Sequence, residues 1–275
     1  MILKKNKIGF IQGRLTKQKN KIQQFPHNNW KRELQLARKL KINLIEWTID
    51  HYGFYQNPLL NINLLEYIKQ ETFKNKIKIN SVTADFFMEK PFWKQKNSSY
   101  YLEKLKLLIK FCGLHKIKFI VLPLVDNSSI KNDNLKKKVI FEFKKFRNLL
   151  TKKKVIILFE SDFRPKKLLK FIRGFKSSNF GINYDLGNSA SLSYDIEDEF
   201  KIYGKYIKNI HIKDRLKKGK SVRLGSGNVN FDKFFKLIDK INYKGALILQ
   251  TARSVNKGED FNELKTNLRF IKKFN

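Results

Sequence analysis

The chain has 275 residues, a formal net charge of +35 at pH 7 and one cysteine, Cys112. A lone cysteine excludes an internal disulfide framework, and no run nears the roughly 18 apolar residues of a membrane span. The basic stretch Met1–Phe10 is followed by too short an apolar run for a secretory signal, so the expected location is the cytoplasm, away from membranes.

Short β-rich runs alternate with longer amphipathic stretches along the whole chain. The strand candidates are Lys7–Leu15, Leu44–Ile49, Lys78–Phe86, Phe119–Val125, Val155–Asp162, Phe180–Gly187, Ile207–Lys213 and Ala246–Thr251. Most are continuous apolar runs, as expected of strands covered on both faces of a parallel sheet. Helical spacing marks Asn29–Leu40, Tyr100–His115 with Cys112 as a buried thiol, a long and broken Ile130–Leu150, and Phe231–Ile241. The last follows the loop Leu224–Val229, with Asn230 or Asp232 as its cap. No Pro/Gly/Ser-rich linker divides the chain, so residues 1–275 read as one domain. Eight strand–helix pairs in this length predict a (β/α)8 barrel. An open doubly wound sheet would want an early Gly-rich dinucleotide turn, and the sequence has none.

Catalytic groups of such barrels lie at the C-terminal ends of the strands. Strand 1 offers Gln12 and Arg14, strand 2 Glu46, strand 3 Asp85, and strand 4 Pro123 and Asp126. Strands 5 to 8 end on a quartet: Glu160, Asp185, His211 and Gln250, separated by 25, 26 and 39 residues. Each gap is about one βα unit. Two carboxylates, an imidazole and an amide on one barrel face can hold a divalent cation. Arg14, Lys213, Arg215 and Arg253 are placed to converge on the same mouth and take a phosphate or carboxylate. Asn188, three residues past Asp185, is within reach of a substrate hydroxyl. The other histidines, His27, His51 and His115, carry no expected role.

In order along the chain, Gly9-Phe-Ile-Gln-Gly-Arg14-Leu, Ile45-Glu46-Trp47, Phe159-Glu160, Tyr184-Asp185-Leu-Gly-Asn188, Ile210-His211-Ile-Lys-Asp214-Arg215 and Leu224-Gly-Ser-Gly-Asn-Val-Asn-Phe231 resemble the sugar phosphate isomerase/epimerase family. That family belongs to the xylose-isomerase-like barrel superfamily, and the resemblance covers nearly the whole chain. It implies a divalent metal on Glu160, Asp185 and His211, with a fourth ligand from strand 8 that is usually glutamate. Here that position is Gln250. In the 3-epimerases of the family, the strand-5 and strand-8 glutamates act as two acid/bases on opposite faces of an enediolate. An amide oxygen can bind a metal but takes no proton near neutral pH, so the two-base symmetry is broken in this chain. Glu46 is the candidate replacement acid/base, or else orients Arg14 or a substrate hydroxyl. Oxygen-rich ligation with one imidazole favours Mn²⁺, Mg²⁺ or Co²⁺, with Zn²⁺ compatible.

The expected activity is therefore a metal-dependent isomerase or epimerase of a small sugar, sugar phosphate or keto-acid, acting through an enediolate with Glu160 as base. The alternatives are a lyase dehydrating a keto-polyol or keto-acid, which needs only one base, and a sugar-binding barrel without catalysis. Nucleic acid is not the expected partner. Of the 59 basic residues 49 are Lys, and Lys, Asn, Ile and Phe, all abundant here, favour A/T-rich codons. An endonuclease of the same superfamily would need a zinc cluster held by several histidines, whereas the chain has four in all and Asn188 where such a ligand would stand. The charge can instead steer anionic small molecules to the protein. Assembly into a homo-oligomer is left open by the sequence.

Overall fold

The computed structural model describes residues 7–16, 23–254, 256 and 258–274; Met1–Asn6 of the basic N-terminal stretch lie outside them. The strands are β1 (Lys7–Ile11), β2 (Leu44–Thr48), β3 (Lys78–Thr83), β4 (Phe119–Leu124), β5 (Ile156–Ser161), β6 (Phe180–Asp185), β7 (Ile207–Ile212), the two-residue β8 (Asp214–Arg215) and β9 (Ser221–Val222), and β10 (Ala246–Leu249). Eight of them close a parallel barrel in the order β1-β10-β7-β6-β5-β4-β3-β2, while β8 and β9 pair with each other. Around the barrel run α1 (Trp30–Lys39), α2 (Leu65–Lys74), α3 (Asp85–Glu89), α4 (Ser98–Leu114), α5 (Asp133–Lys144), α6 (Arg147–Lys153), α7 (Pro165–Gly174), α8 (Leu186–Ser191), α9 (Ile196–Tyr203), α10 (Phe231–Lys240) and α11 (Asp260–Lys272). Among the described residues no helix is long and apolar enough to cross a membrane.

Successive side chains of a strand point to opposite faces, and that period explains both the core and the site. Phe159 on β5 faces outward and packs on Phe171 and Phe175, ring centroids 5.1 and 5.2 Å away. Its neighbour Glu160 faces in. The main core lies between barrel wall and helices, whereas Ile11, Leu44, Ala246 and Ile248 form a separate apolar cluster. Two residues further along these strands the interior turns polar. Glu46 follows Leu44, and its Oε2 accepts hydrogen bonds from Ser81 on β3 (2.6 Å) and Asn209 on β7 (3.1 Å). Asn209 also donates to Asn183 on β6 (2.8 Å). Register shifts at Ile45/Glu46 and Ile182/Asn183 help aim these side chains.

The strands stop earlier than their apolar runs. β1 ends at Ile11, because the following loop is gripped by the buried Glu33 of α1. Its carboxylate accepts the backbone N–H groups of Gly13 (2.7 Å), Leu15 (2.9 Å) and Thr16 (3.0 Å). β3 ends at Thr83, and Asp85 opens α3. The 130–150 region is broken as expected, into α5 and α6. Asn230 caps α10, its Oδ1 accepting Lys233 N–H at 2.9 Å.

Candidate metal centre

Glu160, Asp185 and His211 stand at or near the C-terminal ends of three adjacent strands, β5, β6 and β7. All three are buried, and one ligand atom from each lies within 4.8 Å of the others. Atoms that share a cation at about 2.0–2.6 Å can be no further apart than about 5 Å, so this triad can bind a metal. The imidazole supplies the test of fit. His211 Nε2 lies 2.8 Å from Glu46 Oε1. Its Nδ1 is buried with no hydrogen-bond partner, 3.1 Å from Glu160 Oε2 but without hydrogen-bond alignment. A buried ring nitrogen beside the Glu160 carboxylate, with its opposite nitrogen held by Glu46, is the arrangement of a metal-binding histidine with a carboxylate behind it.

Burial alone would lower the His211 pKa; the negative charges of Glu46 and Glu160 outweigh it and raise it well above its ordinary value. A proton and a cation therefore compete for Nδ1, and cation binding should release a proton. Burial and then the charge of Asp185 raise the Glu160 pKa, with the nearby His211 and Lys213 opposing them. Glu160 is held from both sides: Asn183 Nδ2 donates to Oε2 at 2.9 Å and Asn188 Nδ2 to Oε1 at 2.8 Å. Asp185 Oδ1 accepts the Asn188 N–H (2.8 Å) and so caps α8, while Oδ2 lies 3.3 Å from Lys213 Nζ.

Of the triad, Glu160 lines a cavity of about 490 Å³ at the C-terminal end of the barrel, whose wall also holds Arg14, Gln23, Asp85, Asn188, Lys213, Arg215 and Gln250. Gln250 Nε2 donates to Gln23 Oε1 (3.0 Å), and its Oε1 lies 3.4 Å from Lys213 Nζ. Arg215 NH1 donates to Asn188 Oδ1 at 2.7 Å. Arg14 is a buried cation; burial and then the nearby Arg253 lower its pKa to about 9, still above neutral. A larger depression of about 760 Å³ opens at the opposite end of the barrel, among Lys118, Lys205, Lys208 and Lys244. Among the described residues no carboxylate or imidazole lines it.

Five residues singled out in the sequence lie outside this cavity's wall: Asp185 and His211 of the triad, and Glu46, Gln12 and Arg253. Glu46 is fully buried beneath His211 and orients the imidazole. Gln12 accepts the Thr48 N–H at 3.1 Å and ties β1 to β2. Arg253 donates to the carbonyl oxygens of Gly13 and Thr16 and pairs with Asp260 at 3.4 Å, fastening the loop after β1. Conversely, Gln23, Asp85 and Lys220 line the cavity. Asp85 carried a signal as the end of strand 3, whereas Gln23 and Lys220 lie in loops with no motif.

A family model described as xylose isomerase-like TIM barrel matches residues 34–274. A Haemophilus influenzae protein bearing the provisional name L-ribulose-5-phosphate 3-epimerase SgbU is 35% identical over 78 residues, 26% of this chain and 27% of that protein. The chain thus spans about a quarter of that relative's length. Among solved structures, a xylose isomerase domain protein from Planctomyces limnophilus superposes with a TM-score of 0.76 at 14% identity, over 98% of this chain and 96% of that one. A xylose isomerase-like TIM barrel protein from Mycobacterium smegmatis, in complex with magnesium, gives 0.69 at 14% identity, over 97% of each chain. At such identities the likeness is one of fold.

Proposed function

The chain belongs to the xylose isomerase-like TIM barrel family, and on that premise we propose that it is a metal-dependent isomerase or epimerase of a small sugar or sugar phosphate. The observation that carries this reading is the convergence of Glu160, Asp185 and His211 Nδ1, which has no hydrogen-bond partner among the described residues, with Glu160 in the cavity wall. The provisional name of the Haemophilus influenzae relative and the magnesium of the Mycobacterium smegmatis structure support it.

Glu160, Asp185 and His211 would hold a divalent ion, with the amide oxygen of Gln250 beside them; Mn²⁺, Mg²⁺ or Co²⁺ suits that donor set best. When bound, such an ion polarises a substrate carbonyl and lowers the barrier to losing the neighbouring proton. The chain supplies the rest. Glu160, with its pKa raised, accepts the proton adjacent to the carbonyl, and Asn183 and Asn188 fix its carboxylate for that task. Lys213, Arg215 and Lys220 give the wall positive charge that favours an anionic substituent such as a phosphate. The cavity volume, about 490 Å³, fits a small sugar and lies in the usual range of small-molecule sites.

The test is deuterium uptake from D₂O, read by mass spectrometry, with Mn²⁺-loaded protein. The panel is D-fructose, D-tagatose, D-xylulose 5-phosphate, L-ribulose 5-phosphate and hydroxypyruvate. Wild type should exchange one carbon-bound proton of at least one compound, and Glu160→Gln should lower that rate at least about 100-fold. A product lighter by one water would mark a lyase on the same site. No exchange by wild type, or equal exchange in the variant, contradicts the proposal.

A further inference from the structure

The resemblance noted in the sequence leaves a gap: an epimerase needs a second proton-carrying group, and Gln250 cannot be one. Glu46 cannot fill it either, because the fully buried carboxylate lies behind His211, outside the cavity wall. Three other carboxylates line the cavity: Asp85, Glu89 and Asp126. Asp126 is exposed, and half-buried Glu89 lies 3.4 Å from the backbone N–H of His51. Asp85 differs from both. It is 4% exposed, and each oxygen is held: Thr83 Oγ1 donates to Oδ1 at 2.6 Å and Gln23 Nε2 to Oδ2 at 2.6 Å. Gln23 in turn accepts from Gln250. The position where the family's strand-8 carboxylate would stand is thus tied through one amide to a carboxylate at the start of α3, just past β3.

The barrel order adds a geometric argument. β3 and β7 are four strands apart in either direction around the closed barrel. Asp85, just past β3, therefore stands across the mouth from His211, while β5, which carries Glu160, lies two strands from β3, so the two carboxylates approach the cavity from different sides.

We propose that Asp85 is the second acid/base of this site, delivering a proton to the carbon from which Glu160 removes one. This rests on the isomerase/epimerase reading above. Glu160 takes the proton, the electron pair of the broken C–H bond becomes the C=C of the enediolate, and the carbonyl π pair moves onto its oxygen. The oxygen pair then re-forms C=O, the C=C pair takes the proton from Asp85 as the new C–H bond on the other face, and the Asp85 O–H pair stays on its carboxylate oxygen. Asp85 is left as carboxylate and Glu160 as acid, and exchange with solvent through the open cavity resets both. Burial raises the Asp85 pKa to about 6, with the Thr83 and Gln23 hydrogen bonds opposing and the charges of Glu46 and Glu89 reinforcing. A value near working pH suits proton transfer in both directions.

The experiment separates the two half-reactions on whichever panel sugar exchanges. Deuterium uptake into recovered substrate and formation of its epimer are measured for wild type, Asp85→Asn and Glu160→Gln. Glu160→Gln should lose both. Asp85→Asn should keep exchange within a few-fold and lose at least about 100-fold in epimer formation, the usual scale of one general acid. Normal epimerisation by Asp85→Asn, equal loss of both reactions, or exchange by wild type without any epimer each overturns the assignment of Asp85 alone. Absence of exchange in wild type would instead sink the function proposed above, and this inference with it.

Discussion

The two ring nitrogens of His211 face different carboxylates, Nδ1 towards Glu160 and Nε2 towards Glu46, and the two ends differ in how visible they are from the sequence. The Nδ1 side, with Glu160 and Asp185, is legible because three polar residues end three apolar runs one βα unit apart. The Nε2 side is not. Glu46 also ends an apolar run, and only the closed barrel reveals that it lies beneath the imidazole, 2.8 Å from Nε2, and not in the cavity. Strand position alone does not say which interior layer a side chain occupies. Carboxylates in this place fix the ring and raise its basicity, and removing one typically costs 10–100-fold, an order-of-magnitude range, in metal affinity. Glu46→Gln keeps the shape and loses the charge, so its Mn²⁺ affinity by calorimetry should fall by roughly that factor. An unchanged affinity would show that the charge behind His211 is irrelevant to the cation.

At the scale of elements, the loop between β9 and α10 shows what the glycines of Leu224-Gly-Ser-Gly do. Asp214, from the small strand β8, accepts the backbone N–H groups of Gly225 (2.9 Å), Gly227 (2.8 Å) and Val229 (3.2 Å). Gly225 has φ +85, and a Cβ on Gly227 would lie 2.2 Å from Asp214 Oδ1 and 2.7 Å from the Arg215 carbonyl oxygen. Gly227→Ala must push the loop off Asp214. Overpacking of this kind costs about 1–3 kcal/mol, and at roughly 2–4 °C per kcal/mol for chains near this size the melting temperature should drop by several degrees. Gly204→Ala is the control. Its Cβ would meet only Phe200, at 3.8 and 3.9 Å, and its Tm should barely move. Equal Tm values for both variants, by calorimetry, would remove the close approach as the reason for the glycine. The motif was visible in the sequence; the β8–β9 pairing that holds it was not, since two-residue strands carry no periodicity. The same limit applies to β1 and β3. Their apolar runs continue past the last paired residue, and the grip of Glu33 on the first loop and the start of α3 at Asp85 decide where the strands stop.

For the whole molecule, eight apolar runs alternating with amphipathic stretches were enough to read a closed barrel, because strands covered on both faces leave a continuous apolar signature. The layout of the interior was less legible. A polar layer of Glu46, Ser81, Asn183 and Asn209 sits beneath the triad, and its members come from β2, β3, β6 and β7, too far apart in sequence to form a pattern. The excess of +35 lies mostly on lysines, and the two basic openings of the barrel differ in kind. Among the described residues one is walled by lysine without carboxylate or imidazole; the other combines cations with Glu160 of the triad. The central claim is that this triad holds a divalent ion. It is tested most directly by the Mn²⁺ content of metal-loaded, desalted protein, wild type against His211→Ala, by elemental analysis, with circular dichroism to show that both are folded. The expected result is about one ion per chain in wild type and most of it gone in the folded variant, since the imidazole Nδ1 is one of three protein donors. Equal metal in the two proteins would contradict it.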